Sequence, residues 1–140
     1  MRLLIVDDHP EVRKALRTLL TVEDFEVCGE ATDGLEAVQA TRQLHPDLIV
    51  MDLLMPHMTG IEAAHEIRKE FPAMLIMLVT LEPSIVEAAR NVGIRGTLSK
   101  MDLAKLVPGI RAMLRGEQFH QLRDTPSSVP EPRRVLARSP

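Results

Sequence analysis

Short apolar runs alternate with longer amphipathic stretches along the chain. The runs are Leu3–Val6, Phe25–Ala31, Leu48–Met51, Leu75–Thr80 and Gly96–Ser99. Several are apolar at successive positions with no alternation, which is the pattern of strands covered by helices on both faces of a parallel sheet. Strand followed by helix, repeated, predicts an α/β fold.

Punctuation places the helices between these runs. The first has Asp8 as its expected N-cap, Pro10 in its first turn and an apolar stripe of Val12, Ala15, Leu16, Leu19 and Leu20; it runs to about Val22. The second starts near Asp33 and Gly34 and turns Leu35, Val38 and Leu44 inward. It stops at His45, because Pro46 disfavours helical geometry in the residue before it. The third opens on Thr59-Gly60-Ile61-Glu62, a spacing at which the threonine hydroxyl and the glutamate carboxylate each satisfy an orphan backbone amide. Its buried stripe is Ile61, Ala64, Ile67 and Phe71. The fourth spans about Ser84 to Val92 and ends at Gly93, which suits a left-handed C-terminal cap. The fifth follows Asp102, with Pro108-Gly109 expected to kink or weaken it.

Composition bounds the domain count. A chain of 140 residues is long enough for one core and too short for two. Beyond Gly116, prolines, serines and the pair Arg133-Arg134 appear without apolar periodicity, so residues 1–117 read as the domain and 118–140 as a disordered tail or linker. With 45% hydrophobic and 26% charged residues and a net charge of -3, the chain has an ordinary globular composition and none of the charge of a nucleic-acid-coating surface. Cys28 is the only cysteine, which excludes an intramolecular disulfide and fits a reducing, cytoplasmic compartment. The run from Leu3 to Val6 is too short for a signal peptide or a membrane span.

The candidate chemistry sits where the strands end. Asp7 and Asp8 follow the first run, Asp52 the third and Lys100 the fifth, while Thr80 closes the fourth. In an open parallel sheet, ligands bind outside the carboxyl ends of the strands, so these distant residues are expected to converge. Three carboxylates in one crevice repel each other unless a cation neutralises them. Magnesium suits such a site, because it takes a few carboxylates, several waters and the oxygens of a phosphoryl group. Phosphoryl transfer is the implied chemistry: Asp52 as carboxylate nucleophile, Mg²⁺ screening charge, Lys100 and Thr80 each holding a phosphoryl oxygen. Taken singly, Asp8 would be a helix cap, Thr80 a strand-end hydroxyl and Lys100 a surface charge; the combination is what carries the reading. His9 has no visible partner and reads as a surface residue. Met51, Met55, Met74 and Met77 read as core filler.

The segment Leu3-Leu4-Ile5-Val6-Asp7-Asp8-His9-Pro10 resembles the acidic-pair motif that opens response-regulator receiver domains. Met51-Asp52-Leu53-Leu54-Met55-Pro56-His57-Met58-Thr59-Gly60 is similar to their phosphoacceptor motif, and Val79-Thr80 and Leu98-Ser99-Lys100 complete the set in order. The resemblance covers roughly residues 2 to 117. It implies a flavodoxin-like, doubly wound parallel sheet of five strands in the order 2-1-3-4-5. It implies phosphotransfer from a sensor histidine kinase to Asp52, with Asp7, Asp8, Asp52 and the backbone carbonyl of Leu54 holding Mg²⁺. Such a domain catalyses only its own phosphorylation and dephosphorylation and signals to a downstream protein or output domain through its fourth and fifth helices, with homodimerisation left open. Gly93-Ile94-Arg95-Gly96 and Arg115-Gly116-Glu117 look most like the subclass that carries a LuxR-type helix-turn-helix after the receiver. Nucleic acid becomes a partner only if such a domain follows.

Two positions depart from that pattern. Thr97 stands where receivers usually carry an aromatic whose rotation reports phosphorylation, and Leu81 stands where the family favours a small residue. They keep open a pseudo-receiver that binds partners without switching. A phosphohydrolase of the haloacid dehalogenase class places its two acids two residues apart and adds a cap segment, whereas Asp7 and Asp8 are adjacent and no cap segment is present.

Overall fold

The computed structural model describes residues 1–122. In chain order the elements are β1 (Arg2–Val6), α1 (Pro10–Val22), β2 (Glu26–Ala31), α2 (Gly34–Leu44), β3 (Leu48–Asp52), α3 (Gly60–Glu70) and β4 (Leu75–Thr80). A 3-10 turn at Pro83–Ile85 leads into α4 (Val86–Asn91), which precedes β5 (Gly96–Ser99). A second 3-10 stretch at Lys100–Lys105 leads into α5 (Leu106–Leu114), and β6 (Phe119–His120) closes the set. All strand pairs are parallel, in the order β2-β1-β3-β4-β5-β6.

The continuous apolar runs are explained by burial on both faces. Alternate residues of each strand leave the sheet on opposite sides. Leu4, Val6, Ile49, Met51, Ile76 and Leu78 pack under α2, α3 and α4 with Ala37, Val38, Ala63, Ala64, Ile67 and Ala89. Leu3, Ile5, Leu48, Val50, Met77 and Val79 pack under α1 and α5 with Leu16, Leu20, Leu106, Ile110 and Met113. Each fully buried Val, Leu, Ile or Met side chain among them contributes roughly 1.5–3 kcal/mol. Met51 and Met77 are fully buried and Met74 nearly so, which makes these three core residues, while Met55 is partly buried and packs against the core edge.

The expected strand order is present, and the five-strand count is corrected by β6. This strand lies within the stretch expected to be tail: Phe119 N donates to Arg95 O at 2.8 Å and Gln121 N to Thr97 O at 2.9 Å, covering the edge of β5. The cause is packing, since Phe119 seats against the α1/α5 core and Leu122 is buried. The remainder of the expected tail, 123–140, lies outside the described residues.

Several helix details differ from expectation. His9, not Asp8, holds the N-cap position of α1, and no side chain caps it; Asp8 is drawn into the acidic cluster described below. Ala15 is exposed, as is Leu35 at 51%, because the buried stripe of α2 is Gly34, Ala37, Val38 and Thr41 and Leu35 falls one position off it. Helix α5 runs unbroken through Pro108, which falls in its first turn, where the missing N–H has no intrahelical partner to lose. The Thr59 and Glu62 capping box forms as expected, and His45 ends α2 in a left-handed conformation.

Candidate functional site

Register brings the predicted residues together. Val6 aligns with Met51, Asp52 with Val79 and Thr80 with Ser99, so Asp7, Asp52, Thr80 and Lys100 emerge side by side at the strand ends. The turn into α3 closes in behind them. Gly60 N donates to Leu53 O at 2.7 Å, and a Cβ at Gly60 would collide with the main-chain oxygen of Asp52, so only glycine permits this approach.

Asp7, Asp52 and Thr80 are almost fully buried. The Lys100 ammonium lies 3.2 Å from Asp7 Oδ2 and 3.2 Å from Asp52 Oδ2. Leu53 N donates to Asp52 Oδ1 at 2.8 Å, and His9 N donates to Asp7 Oδ1 at 2.8 Å. One ammonium therefore faces two carboxylates. Burial first, then the neighbouring Asp7 carboxylate, push Asp52 above the ordinary carboxylate range against the pull of Lys100. Burial works against charge on Lys100, but Asp52 and Asp7 outweigh it and raise the lysine.

The donor set fits a hard divalent cation. One ligand atom from each of Asp7, Asp8, His9 and Asp52 lies within 4.8 Å of the others. Asp8 Oδ1 is buried and accepts no hydrogen bond, although His9 Nδ1 stands 3.1 Å away. A buried carboxylate oxygen so placed is short of one positive partner. His9 is exposed, as expected of a surface residue, but it has partners: its ring lies beside Asp7 and Asp8 in the cluster, and its position directly after the acidic pair was the available signal. Leu54 places its exposed side chain on the rim.

A cavity of about 270 Å³ opens over Asp52, lined by His9, Leu54, Thr80, Leu81, Glu82 and Lys100. Thr80 Oγ1 accepts from Glu82 N at 3.1 Å, which leaves its hydroxyl proton free for an oxygen in the cavity. Leu81 is 62% exposed and stands at the mouth. A groove of about 630 Å³ beside α3, lined by His57, Met58, Ile61 and His65, is larger. Chemistry decides between them: among the described residues only the Asp7 cluster brings three or more potential ligand atoms together.

Thr97 is fully buried in β5, and its Oγ1 is 2.9 Å from His120 Nδ1 on β6. His120 Nε2 is 2.9 Å from Gln118 Oε1, an acceptor, so the Nε2 tautomer satisfies both contacts with Nδ1 accepting from the threonine hydroxyl. Burial first and the Arg90 charge second lower the pKa of His120 below 6.5.

A doubly wound parallel sheet with an acidic cluster, a hydroxyl and a lysine at its strand ends defines a flavodoxin-like domain of the signalling class. The chain belongs to the response-regulator receiver domain family, whose model matches residues 3–111. It is 37% identical over 125 residues to the response regulator protein VraR of Staphylococcus aureus, covering 86% of this chain and 60% of that protein. Among solved structures it is similar to a two-component response regulator of the LuxR family from Aurantimonas sp. SI85-9A1, with a TM-score of 0.81 and 37% identity over 84% of this chain and 87% of the other. The receiver domain of NarL from Mycobacterium tuberculosis aligns with a TM-score of 0.76 and 28% identity, over 83% of this chain and 97% of the other. The chain thus spans 60% of the length of its VraR relative. No helix among the described residues is long and apolar enough to cross a membrane.

Proposed function

We propose that this receiver accepts a phosphoryl group on Asp52 from a sensor histidine kinase and thereby changes its affinity for a protein partner. The observation that carries the reading is Asp52 itself: a buried carboxylate at a strand end, with one oxygen on Lys100 and open cavity in front of it. Attack by an Asp52 oxygen on phosphorus forms the O–P bond as the bond to the donor histidine nitrogen breaks. Lys100 then binds a phosphoryl oxygen, and Thr80 donates its hydroxyl to another. Asp7, Asp8, Asp52 and the backbone carbonyl of Leu54 would hold Mg²⁺, which when bound offsets charge on the transferring group. Under this proposal the chain's catalysis is confined to its own phosphorylation and dephosphorylation, in the cytoplasm.

The output surface is the side bearing α4, β5 and α5, now including β6. It would meet a downstream protein, an output domain or a second copy. DNA binding would belong to a helix-turn-helix region of the kind borne by the LuxR family. The test is incubation with acetyl phosphate and Mg²⁺ followed by intact mass. One acid-labile phosphoryl group is expected on the wild type and none on Asp52→Asn; undiminished labelling of the variant would refute the assignment.

A further inference from the structure

Three arginines face one recess at the end of the sheet opposite Asp52, where β5 begins. Arg68 comes from the last turn of α3, Arg90 from α4 and Arg95 from the residue before β5. With Gly93, Ile94 and Gln118 they line a cavity of about 160 Å³ that no carboxylate of the described residues lines. Each of the other six described arginines is in an ion pair with a glutamate. Among the described residues, the three that share this recess have no such partner.

Two of the three are held in place. Arg68 Nη1 donates to Met74 O at 2.9 Å, and Arg95 Nη2 donates to Gly116 O at 2.8 Å. Arg95 Nε is buried and has no acceptor among the described residues. Gly93, at φ 85°, makes the floor: a Cβ there would collide with the Arg68 guanidinium. Arg90 is exposed on the rim and bonds to nothing described. Like charges gathered this way repel one another, and a buried guanidinium N–H without an acceptor is unfavourable. Both costs are relieved by one anion.

We propose that this recess binds a phosphate monoester, taking its dianionic phosphoryl group between the three guanidiniums and leaving the rest of the ligand in solvent. Planar guanidinium forks match tetrahedral oxyanions with paired hydrogen bonds. The volume admits one phosphoryl group and a short stem. A phosphodiester brings a single negative charge and two bulky substituents, so it fits the charge and the space less well. The recess is separate from the Asp52 cavity, with which it shares no lining residue.

The experiment is amide NMR on the 140-residue chain with magnesium removed by EDTA and ionic strength held constant with chloride. Inorganic phosphate and a sugar monophosphate are both expected to shift Gly93, Gly96 and Gln118 saturably. Arg90→Gln removes a rim guanidinium without breaking an internal hydrogen bond and is expected to weaken binding about tenfold, the scale of one charge-assisted bond. Arg90→Glu is expected to abolish it, and Arg42→Gln, which does not line the recess, to leave it unchanged. Equal shifts on adding chloride alone would mean simple screening and would overturn the proposal. So would unweakened binding by both Arg90 variants, or tighter binding of an oligonucleotide lacking terminal phosphates than of either monoester.

Discussion

At the scale of single residues, Asp52 meets opposing demands. Its pKa is raised by burial and by Asp7, so the folded state holds its proton more readily than the unfolded state does. The stability this group contributes is fully present below its ordinary value of 3.8 and is lost as pH rises through the raised folded value. At neutral pH an ionised Asp52 therefore weighs against folding. Asp52→Asn removes the repulsion while Lys100 keeps Asp7 as a partner. Urea midpoints between pH 4 and 7 are expected to show the variant more stable than wild type at the upper end, with the gap closing toward the lower; a less stable variant at pH 7 would contradict this. A cation that binds only the folded state relieves the same repulsion. Mg²⁺ is expected to raise the melting temperature, by an amount equivalent to about 2.7 kcal/mol at a hundredfold excess over its dissociation constant. Asp8→Ala, which removes the orphan oxygen, should blunt that rise, and no shift at millimolar Mg²⁺ would count against a metal site.

At the scale of elements, interest centres on β5 and its new neighbour. A receiver that reports through an aromatic at the Thr97 position would move a large ring between exposed and buried states. Thr97 offers no such area change, is already fully buried and is tied to His120. The loop after β4 has more freedom: Leu81 and Glu82 are exposed, and the Thr80 hydroxyl holds the loop through Glu82 N. A ligand shifts an equilibrium only by its differential affinity for the two states, so the part that touches the phosphoryl group should carry most of the response. Beryllofluoride, standing in for that group, is expected to perturb the amides of Thr80–Ser84 strongly and those of Thr97–Ser99 weakly. Comparable changes at Thr97 and in α4 would show that the missing aromatic does not matter. Strand β6 is itself testable. Phe119→Ala should cost about 2 kcal/mol, less than the roughly 3–5 typical of a fully buried ring because Phe119 is only partly covered. An unchanged denaturation midpoint would mean that β6 lies on the fold without supporting it.

At the scale of the whole molecule, the sequence by itself determined the strand runs, the caps of α2 and α3, and which polar residues stand at the strand ends. The continuous apolar runs of β1, β3 and β4 can be buried only between two helical layers, and the caps at Asp33 and Thr59 act through neighbours three residues away. Asp7, Asp8, Asp52, Thr80 and Lys100 were legible because each follows or closes a strand, and strand ends of a parallel sheet meet. What the tertiary structure alone decided is of a different kind. His9 joins the acids only because the β1 to α1 turn folds it back, and Pro108 is harmless only because α5 begins two residues before it. Phe119 and His120 pair with Gly96 and Thr97, which are distant from them in the chain, so the strand they form has no local pattern to announce it. The three unpaired arginines share a recess for the same reason: α3, α4 and the start of β5 are brought together by packing, which no spacing along the sequence records.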